Sequence, residues 1–496
     1  MINSDSPYRV RFAPSPTGHV HLGSARTALY DYLIAKNTKG QFILRIEDTD
    51  RKRLVEGAEE ELINGLHWLG IDWDEGPLKG GPYAPYRQSE RKEIYQKYAK
   101  ELIDKERAYY CFCSQERLQK VREETRKQKK QPHYDGLCQN IPLEEAEERI
   151  RNGESYVIRF KIPKEGNTIV KDLLRGEITF ANKNLDDYII VKSDGWALYH
   201  LAATVDDHLM KITHVIRGSE WLPTSPLHHL IWEAFGWEEP TWVHLSVFLK
   251  PSGKGKMSKR EAAQLSNDGY SIFIKDLEEL GYMPEAVINW IALMGWSYDD
   301  HTEYFSMDDL VEKFSIKKLN PSPAAINFSK LDHFNKLHIK KLSDRELAER
   351  ISPYFEKKSI DASLVDLEKI SPILKDRMIT LDDSVKLCGF LFREEIIHVS
   401  EDLLIRDLSI EESKKISGEI VEIIQSVDKW TLETIESQVK TYMEDERLAP
   451  KQLFSYLREA ISGQRATPPL FDCMLVLGKE RTINRLEESQ SILLAM

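Results

Sequence analysis

At 496 residues, 41% hydrophobic and 30% charged, the chain can bury about three or four separate cores and is too apolar to be disordered, which excludes a single small binding module. Its 69 lysines and arginines are outnumbered by 81 aspartates and glutamates, a net charge of −12, so a uniformly basic nucleic-acid coat is excluded and any polyanion must meet a local basic patch. Five cysteines are too few for a disulfide framework, and without an apolar leader or ~18 consecutive apolar residues the expectation is a cytoplasmic protein with no membrane segment.

Residues 8–12 suit a strand, and Pro14, Pro16 and Gly18 end it in a turn. Leu22, Ala25, Leu29 and Leu33 recur at the three-and-four spacing of one helix face, Gly40 stops that helix, and residues 41–46 resume as a buried strand. Strand, helix and strand in this order predict a parallel sheet of nucleotide-binding type. Residues 81–194 change texture, with charged helical stretches at 88–105, a basic run at 126–130 and β-rich pieces at 156–162 and 185–192, and are expected to form an α/β insertion. Alternating strands and helices return over 197–249, and a Gly/Lys-rich loop follows at 251–260. Beyond about residue 320, long amphipathic charged segments predict an all-α region.

Two motifs carry chemistry. Pro14-Ser-Pro-Thr-Gly-His-Val-His21-Leu-Gly23 fills the turn into the first helix, where backbone N–H groups and the helix dipole favour phosphate. His21 there is either a helix cap or a donor to a phosphate oxygen, and Gly23 lets a flat base approach the backbone. Lys254-Gly-Lys-Met-Ser-Lys-Arg260 is either a solvated basic loop or a glycine-hinged set of cations that swings onto a triphosphate.

As a pair the two motifs resemble the HIGH and KMSKS signatures of class I aminoacyl-tRNA synthetases, with Ser24 in place of the last histidine and Arg260 as a variant ending. Arg9-Val-Arg-Phe-Ala13, Arg45-Ile-Glu-Asp-Thr-Asp-Arg51, Gly81-Pro-Tyr-Ala-Pro-Tyr-Arg-Gln-Ser-Glu-Arg91, Tyr199-His-Leu-Ala202, Val205-Asp-Asp-His208 and Ile216-Arg-Gly-Ser-Glu-Trp221 narrow the resemblance to the bacterial-type glutamyl-tRNA synthetases, over essentially the whole chain. The resemblance implies a Rossmann-type catalytic domain at 1–80 and 195–250, interrupted by a connective, acceptor-binding insertion at 81–194. A KMSKR loop and stem-contact region at 251–322 and a helical anticodon-binding region at 323–496 follow. It also implies ATP-dependent activation of L-glutamate, transfer to the terminal adenosine of tRNA(Glu), Mg2+ with the triphosphate, and a monomer.

By the same resemblance, Arg11 and Arg217 are the substrate arginines, able to bond a carboxylate bidentately. Glu47 takes the ammonium, and Ala13, Ser15 and Tyr199 shape the pocket. His21, Gly23, Glu220, Trp221, Leu249 and Lys256 are implied at ATP, with His21, Lys256 and Lys259 catalytic. As residues alone, Arg45 and Glu47 also suit a surface salt-bridge cluster at a strand end. Arg377, Arg458, Thr467 and Pro468 match anticodon contacts, though Arg377 equally suits a helix-surface charge.

Cys111, Cys113 and Cys138 supply three thiols, one short of a closed zinc site, and Asn140 stands where many zinc-bearing relatives have histidine. Tyr134 matches the fourth position of a Cys-x-Cys…Tyr-x-x-x-Cys site of close relatives in the family it resembles, and that resemblance implies one structural Zn2+. His133 is a lesser substitute, and a metal-free insertion is the alternative. Glutaminyl-tRNA synthetases share the catalytic signatures but carry β-barrel anticodon domains, and queuosine-modifying paralogues lack the C-terminal third. A catalytically dead tRNA-binding relative is opposed by intact His21, Lys256, Arg11 and Arg217.

Overall fold

The computed structural model describes residues 7–127, 133–255, 265 and 269–496. Val10 and Phe12, both buried, make the apolar side of strand β1 (Arg9–Phe12), and helix α1 (Leu22–Asn37) crosses over to β2 (Gln41–Leu44), which pairs with β1 in parallel from Arg9↔Gln41 to Phe12↔Leu44. The expected face of α1 is the one that packs: Leu22, Ala25, Leu29 and Leu33 are at most 1% exposed. Gly40 ends the crossover because a Cβ there would meet the Tyr8 carbonyl oxygen at 1.8 Å.

After α2 (Ala58–Trp68) and α3 (Lys92–Asp104) the chain builds a small antiparallel sheet from β3 (Ala108–Cys111), β4 (Val157–Phe160) and a later strand. Helices α4 (Gln115–Lys127) and α5 (Leu143–Arg151) lie between β3 and β4 in sequence. A hairpin of β5 (Asn167–Asp172) and β6 (Gly176–Ala181) precedes β7 (Ile189–Val191), the third strand of that sheet. The alternation then resumes as α6 (Tyr199–Leu209), β8 (His214–Gly218), α7 (Ser225–Phe235) and β9 (Thr241–Leu245).

Strand order β6-β5-β9-β8 draws the hairpin of the 81–194 segment into the main sheet, with β5 pairing in parallel to β9 at Asp172↔Trp242. β8 runs parallel to β9, and Thr213 N bonds Arg9 O at 2.9 Å, setting β1 beside β8. The residues at or just beyond the carboxyl ends of β1, β2, β5, β8 and β9 therefore gather at one edge, where ligands bind in open α/β sheets. Tyr95, Phe160, Ile190, Leu201, Val205, Leu227 and Ile231 form a core between α3, α6, α7 and the small sheet. A short parallel pair, β10 (Phe248–Leu249) and β11 (Ala324–Ala325), follows.

These elements belong to a unit formed by Met1–Leu277 and Val287–Phe328, and a second unit takes Glu278–Ala286 and Ser329–Met496. Among its described residues the second unit has helices and no strand. Its helices begin where the sequence supplies caps: Ser343 with Glu346 starts Asp344–Lys357, and Ser409 with Glu412 starts Ile410–Ser426. Leu347, Ile351, Leu367, Ile420, Leu453, Leu457 and Leu486 fill its interior. Among the described residues no helix is long and apolar enough to cross a membrane.

Candidate active site

Charge is concentrated at the edge where β1, β2 and α6 meet. Arg11 Nε and Nη2 donate to the two Asp207 carboxylate oxygens at 2.9 and 3.3 Å, and Arg45 Nη1 donates to Asp207 Oδ1 at 2.7 Å. Arg45 Nη2 reaches Glu47 Oε1 at 3.0 Å. Arg45 is fully buried, and Arg11 and Glu47 are 4% and 8% exposed, so this is an interior network and not a surface salt-bridge cluster. Burial works against ionised Asp207, yet Arg11 and Arg45 hold its carboxyl below the ordinary range. At Glu47 burial wins and pushes the carboxyl up, despite Arg45 and Arg11. Neighbouring Asp206 accepts from Gln88 Nε2, Arg91 Nε and Tyr95 Oη at 2.8–2.9 Å, fastening α6 to the segment that follows β2.

Arg217, at the end of β8, is 6% exposed and bonded differently. Its Nε donates to His244 Nε2 at 3.0 Å, Nη1 to Tyr199 Oη at 3.2 Å and His228 Nε2 at 3.3 Å, and Nη2 to Ser225 Oγ at 3.2 Å. Every one of these partners is neutral in its hydroxyl or free-imidazole form. Burial raises the Tyr199 phenol, and the charges of Arg217, Glu47 and Arg11 all act on it, so the phenol sits among all three groups. Ala13 and Ser15 lie on the loop leaving β1, which Glu47 N joins through Pro14 O at 2.9 Å.

The imidazoles around Arg217 are kept neutral: burial, then Arg217, pushes His200 down to about 4, and burial lowers His228 and His244. Because unfolded histidines titrate near ~6.5, the unfolded chain takes up these protons first as pH falls. The stability of the first unit is expected to be full above about pH 6.5 and to fall from there toward pH 4. Thermal melts at fixed ionic strength should show that decline, and a midpoint constant or rising toward acid would contradict buried neutral imidazoles.

His21 is the N-cap of α1: its Nδ1 accepts from Gly23 N at 3.0 Å and Ser24 N at 3.3 Å, while Ser24 Oγ returns a bond to His21 O at 2.9 Å. The cap settles the neutral tautomer, since an accepting Nδ1 puts the proton on Nε2. Gly23 is required by that fold-back, because a Cβ would meet His21 Cε1 at 2.9 Å. Leu22 N bonds Ile272 O at 2.8 Å and Ile274 N bonds Val20 O at 2.9 Å, which joins the chain beyond the Lys-rich loop to this helix start. Arg26, 4% exposed on α1, donates to Met294 O at 3.0 Å and to Ser246 O, and lies 3.9 Å from the Phe248 ring beside Leu249. Burial lowers its pKa, and Glu220 opposes that, which puts Glu220 within electrostatic reach of α1. Trp221, 39% exposed, faces Tyr199 with ring centroids 4.6 Å apart. His21, Gly23, Glu220, Trp221 and Leu249 therefore all lie in the first unit near the sheet edge; Lys256 and Lys259 lie outside the described residues.

The three cysteines do converge. Cys111 and Cys113 Sγ are each 3.4 Å from Tyr134 Oη, Cys113 and Cys138 Sγ are 3.6 Å apart, and all three sulfurs lie within 4.8 Å of one another. Arg117 Nη1 lies 3.4 Å from Cys113 Sγ and Arg159 sits 4.1 Å from the Tyr134 ring centroid, a cationic surround suited to an anionic ligand set. Asn140 is exposed.

In the second unit, Arg377 is exposed just after helix Leu364–Leu374, Arg458 is half-buried on Pro450–Ser462, and Thr467 and Pro468 precede Leu470–Leu477. Burial and Asp472 push the Cys473 thiol up to about 12, while Arg458 and Arg377 pull it down, so both guanidiniums lie around that last helix.

Asp207, Asp206, Arg91, His228, His244 and Asp172 hold the candidate site's charged groups in place, and no sequence motif marks them as functional. The paired aspartates stand in the Val205-Asp-Asp-His208 segment, but His228, His244 and Asp172 belong to no motif, and only tertiary pairing brings them in.

Residues 7–333 match the family model described as tRNA synthetases class I (E and Q), catalytic domain, and residues 346–490 match an anticodon binding domain. A Dehalococcoides mccartyi protein named Glutamate--tRNA ligase is 42% identical over 483 residues, 96% of each chain. A Borreliella burgdorferi protein of the same name is 41% identical over 492 residues, 98% of this chain and 99% of its own. The solved structure of a glutamate tRNA ligase from Elizabethkingia meningosepticum, in complex with its amino acid, matches with a TM-score of 0.89 and 37% identity, covering 98% of this chain and 99% of that one.

Proposed function

The chain belongs to the class I aminoacyl-tRNA synthetases of the glutamate and glutamine branch, and from that premise we propose how its own residues carry the reaction. The activity is that of a glutamate--tRNA ligase. A carboxylate oxygen of L-glutamate displaces pyrophosphate at the α-phosphorus of ATP, and the glutamyl group then passes to the 3′-terminal adenosine of tRNA with release of AMP. Such a displacement asks for positioning and charge stabilisation, not for a nucleophilic side chain.

The observation that carries the assignment of roles is Arg217, a buried guanidinium with four neutral partners and no ion pair among the described residues. It takes one substrate carboxylate, Arg11 and Tyr199 border the other end of the amino acid, and Glu47 holds the ammonium. Ala13 and Ser15 close the side of the pocket. The Nε2–H of His21 donates to the phosphates, and Gly23, Glu220, Trp221 and Leu249 frame the nucleotide. Lys256 and Lys259 supply positive charge as it builds on the leaving pyrophosphate. Mg2+ would accompany ATP and would share in neutralising the triphosphate. Arg377, Arg458, Thr467 and Pro468 contact the anticodon of tRNA(Glu). Charging purified tRNA(Glu) with labelled glutamate and ATP tests the proposal: glutamyl-tRNA should accumulate, and no product above background would defeat it. A catalytically dead relative is disfavoured by the preserved Arg217 surroundings and the His21 cap.

Zinc fits the Cys111, Cys113, Tyr134 and Cys138 cluster. A tetrahedron with Zn–S bonds of ~2.3 Å and a Zn–O bond of ~2.0 Å has edges of about 3.8 and 3.5 Å, close to the observed 3.6 Å sulfur pair and 3.4 Å sulfur–phenol pairs. Burial and the three thiols push the Tyr134 phenol up, so without an ion it stays protonated; a bound cation reverses that. A bound ion would be structural, held by Cys111, Cys113, Tyr134 and Cys138 and tying β3 to the 134–138 turn. Protein purified without chelator is expected to hold close to one zinc per chain, and a value near zero with all three thiols titratable would overturn the site alone.

A further inference from the structure

Buried guanidiniums ordinarily sit against carboxylates, because an unpaired charge in the interior is costly. Arg11 and Arg45 obey this through Asp207 and Glu47. Arg217 does not, and the reason lies one bond further out. Its Nε–H needs an acceptor, and His244 Nε2 at 3.0 Å can accept only when the imidazole proton is on Nδ1. Asp172 Oδ2 accepts the hydrogen bond of that Nδ1–H at 2.8 Å and also accepts from His244 N at 2.9 Å, fixing both ring and tautomer. Asp172 is pinned in turn by Leu174 N and Arg175 N, each 3.0 Å from its Oδ1. Neither Asp172 nor His244 exposes any side-chain surface. On the other flank, His228 Nε2 accepts from Arg217 and faces His200 Nδ1 at 3.0 Å, with His228 Nδ1 toward Thr204 Oγ1 at 3.2 Å, an arrangement that again requires the Nδ1–H tautomer.

We propose that Asp172 and His244 are positioning residues: Asp172 locks His244 as a neutral acceptor that aims Arg217, so the guanidinium is held in place without being neutralised by contact and its charge is left for a substrate carboxylate. The proposal deepens the reading of Arg217 as a substrate arginine and rests on it. The hairpin strand β5 earns a functional place by it, since its pairing to β9 is what sets Asp172 beside His244. An asparagine at 172 that keeps its oxygen for Leu174 N and Arg175 N turns its NH2 toward His244, giving up the bond from His244 N and presenting a donor to Nδ1. The imidazole proton then moves to Nε2 and opposes the Arg217 Nε–H, donor against donor, so the guanidinium must leave its position.

The test is ATP–pyrophosphate exchange, with tRNA(Glu) present, on the full chain and on Asp172→Asn, His244→Gln and His244→Leu. Asp172→Asn is expected to raise the KM for glutamate by roughly 10- to 100-fold, the usual effect of losing a partner that orients a functional side chain, with the KM for ATP within about twofold. His244→Gln retains an acceptor and is expected to recover most of the glutamate affinity that His244→Leu loses. Two-bond 15N–1H spectra, with the His244 signal identified by its absence in His244→Gln, should show Nδ1–H in the parent and Nε2–H in Asp172→Asn. A parent-like glutamate KM in both Asp172→Asn and His244→Leu would overturn the proposal. So would KM values for glutamate and ATP rising together with a lowered melting temperature, which marks a merely structural role. If Asp172→Asn does not fold, the His244 pair decides: equal glutamate KM in the Gln and Leu variants overturns the proposal. Absence of glutamate-dependent exchange in the parent would instead defeat the synthetase reading itself.

Discussion

Arg217→Ala is expected to lose glutamate activation, with kcat/KM for glutamate falling by roughly 30- to 5000-fold, the equivalent of about 2–5 kcal/mol for a desolvated charge pair broken on one side. The size follows from the surroundings. The four side chains around the guanidinium are neutral, so nothing among them replaces its charge when a carboxylate enters. Arg217→Lys should recover little, because a single ammonium cannot reproduce four divergent N–H bonds. Exchange kinetics in varied glutamate give the answer, and a variant that saturates with glutamate like the parent would remove Arg217 from the site.

Asp207→Ala should act on the fold. It strips the shared carboxylate from Arg11 and Arg45, two guanidiniums at 4% and 0% exposure, and leaves two like charges facing each other in the interior. Breaking a buried pair in this way costs about 3–5 kcal/mol. The melting temperature of the first unit should drop by several degrees, with the second unit's transition unmoved. Asp207→Asn, which keeps one acceptor oxygen but loses the charge and turns an NH2 donor toward a guanidinium, should fall between. A melting temperature unchanged in the alanine variant would mean that Arg11 and Arg45 find compensation elsewhere.

Much of this arrangement was legible from local pattern. The helix face of Leu22, Ala25, Leu29 and Leu33 and the stop at Gly40 fixed the first crossover, because helix period and backbone sterics are set by neighbouring residues. His21 was posed as either a cap or a phosphate donor, and the structure makes these compatible: the cap occupies Nδ1 and so sends the proton to Nε2. The sequence alone left Arg45 and Glu47 open as a surface cluster, since burial of a charged pair depends on what packs over it. Asp172 and His244 were invisible for the same reason. They are 72 residues apart, and only the parallel pairing of β5 with β9 brings them together. Tyr134 comes from the resemblance, through the Cys-x-Cys…Tyr-x-x-x-Cys pattern of relatives, and its hydroxyl sits against two of the three thiols.

The most direct measurement of the central claim is ATP–pyrophosphate exchange by the full chain with tRNA(Glu) present, run with glutamate and with glutamine at equal concentrations. The proposed pocket, around Arg217 and buried Glu47, needs an amino acid that carries its ammonium and carboxylates to those groups. Exchange should be strong with glutamate and near background with glutamine. Equal exchange with both, or none with glutamate, would contradict the assignment.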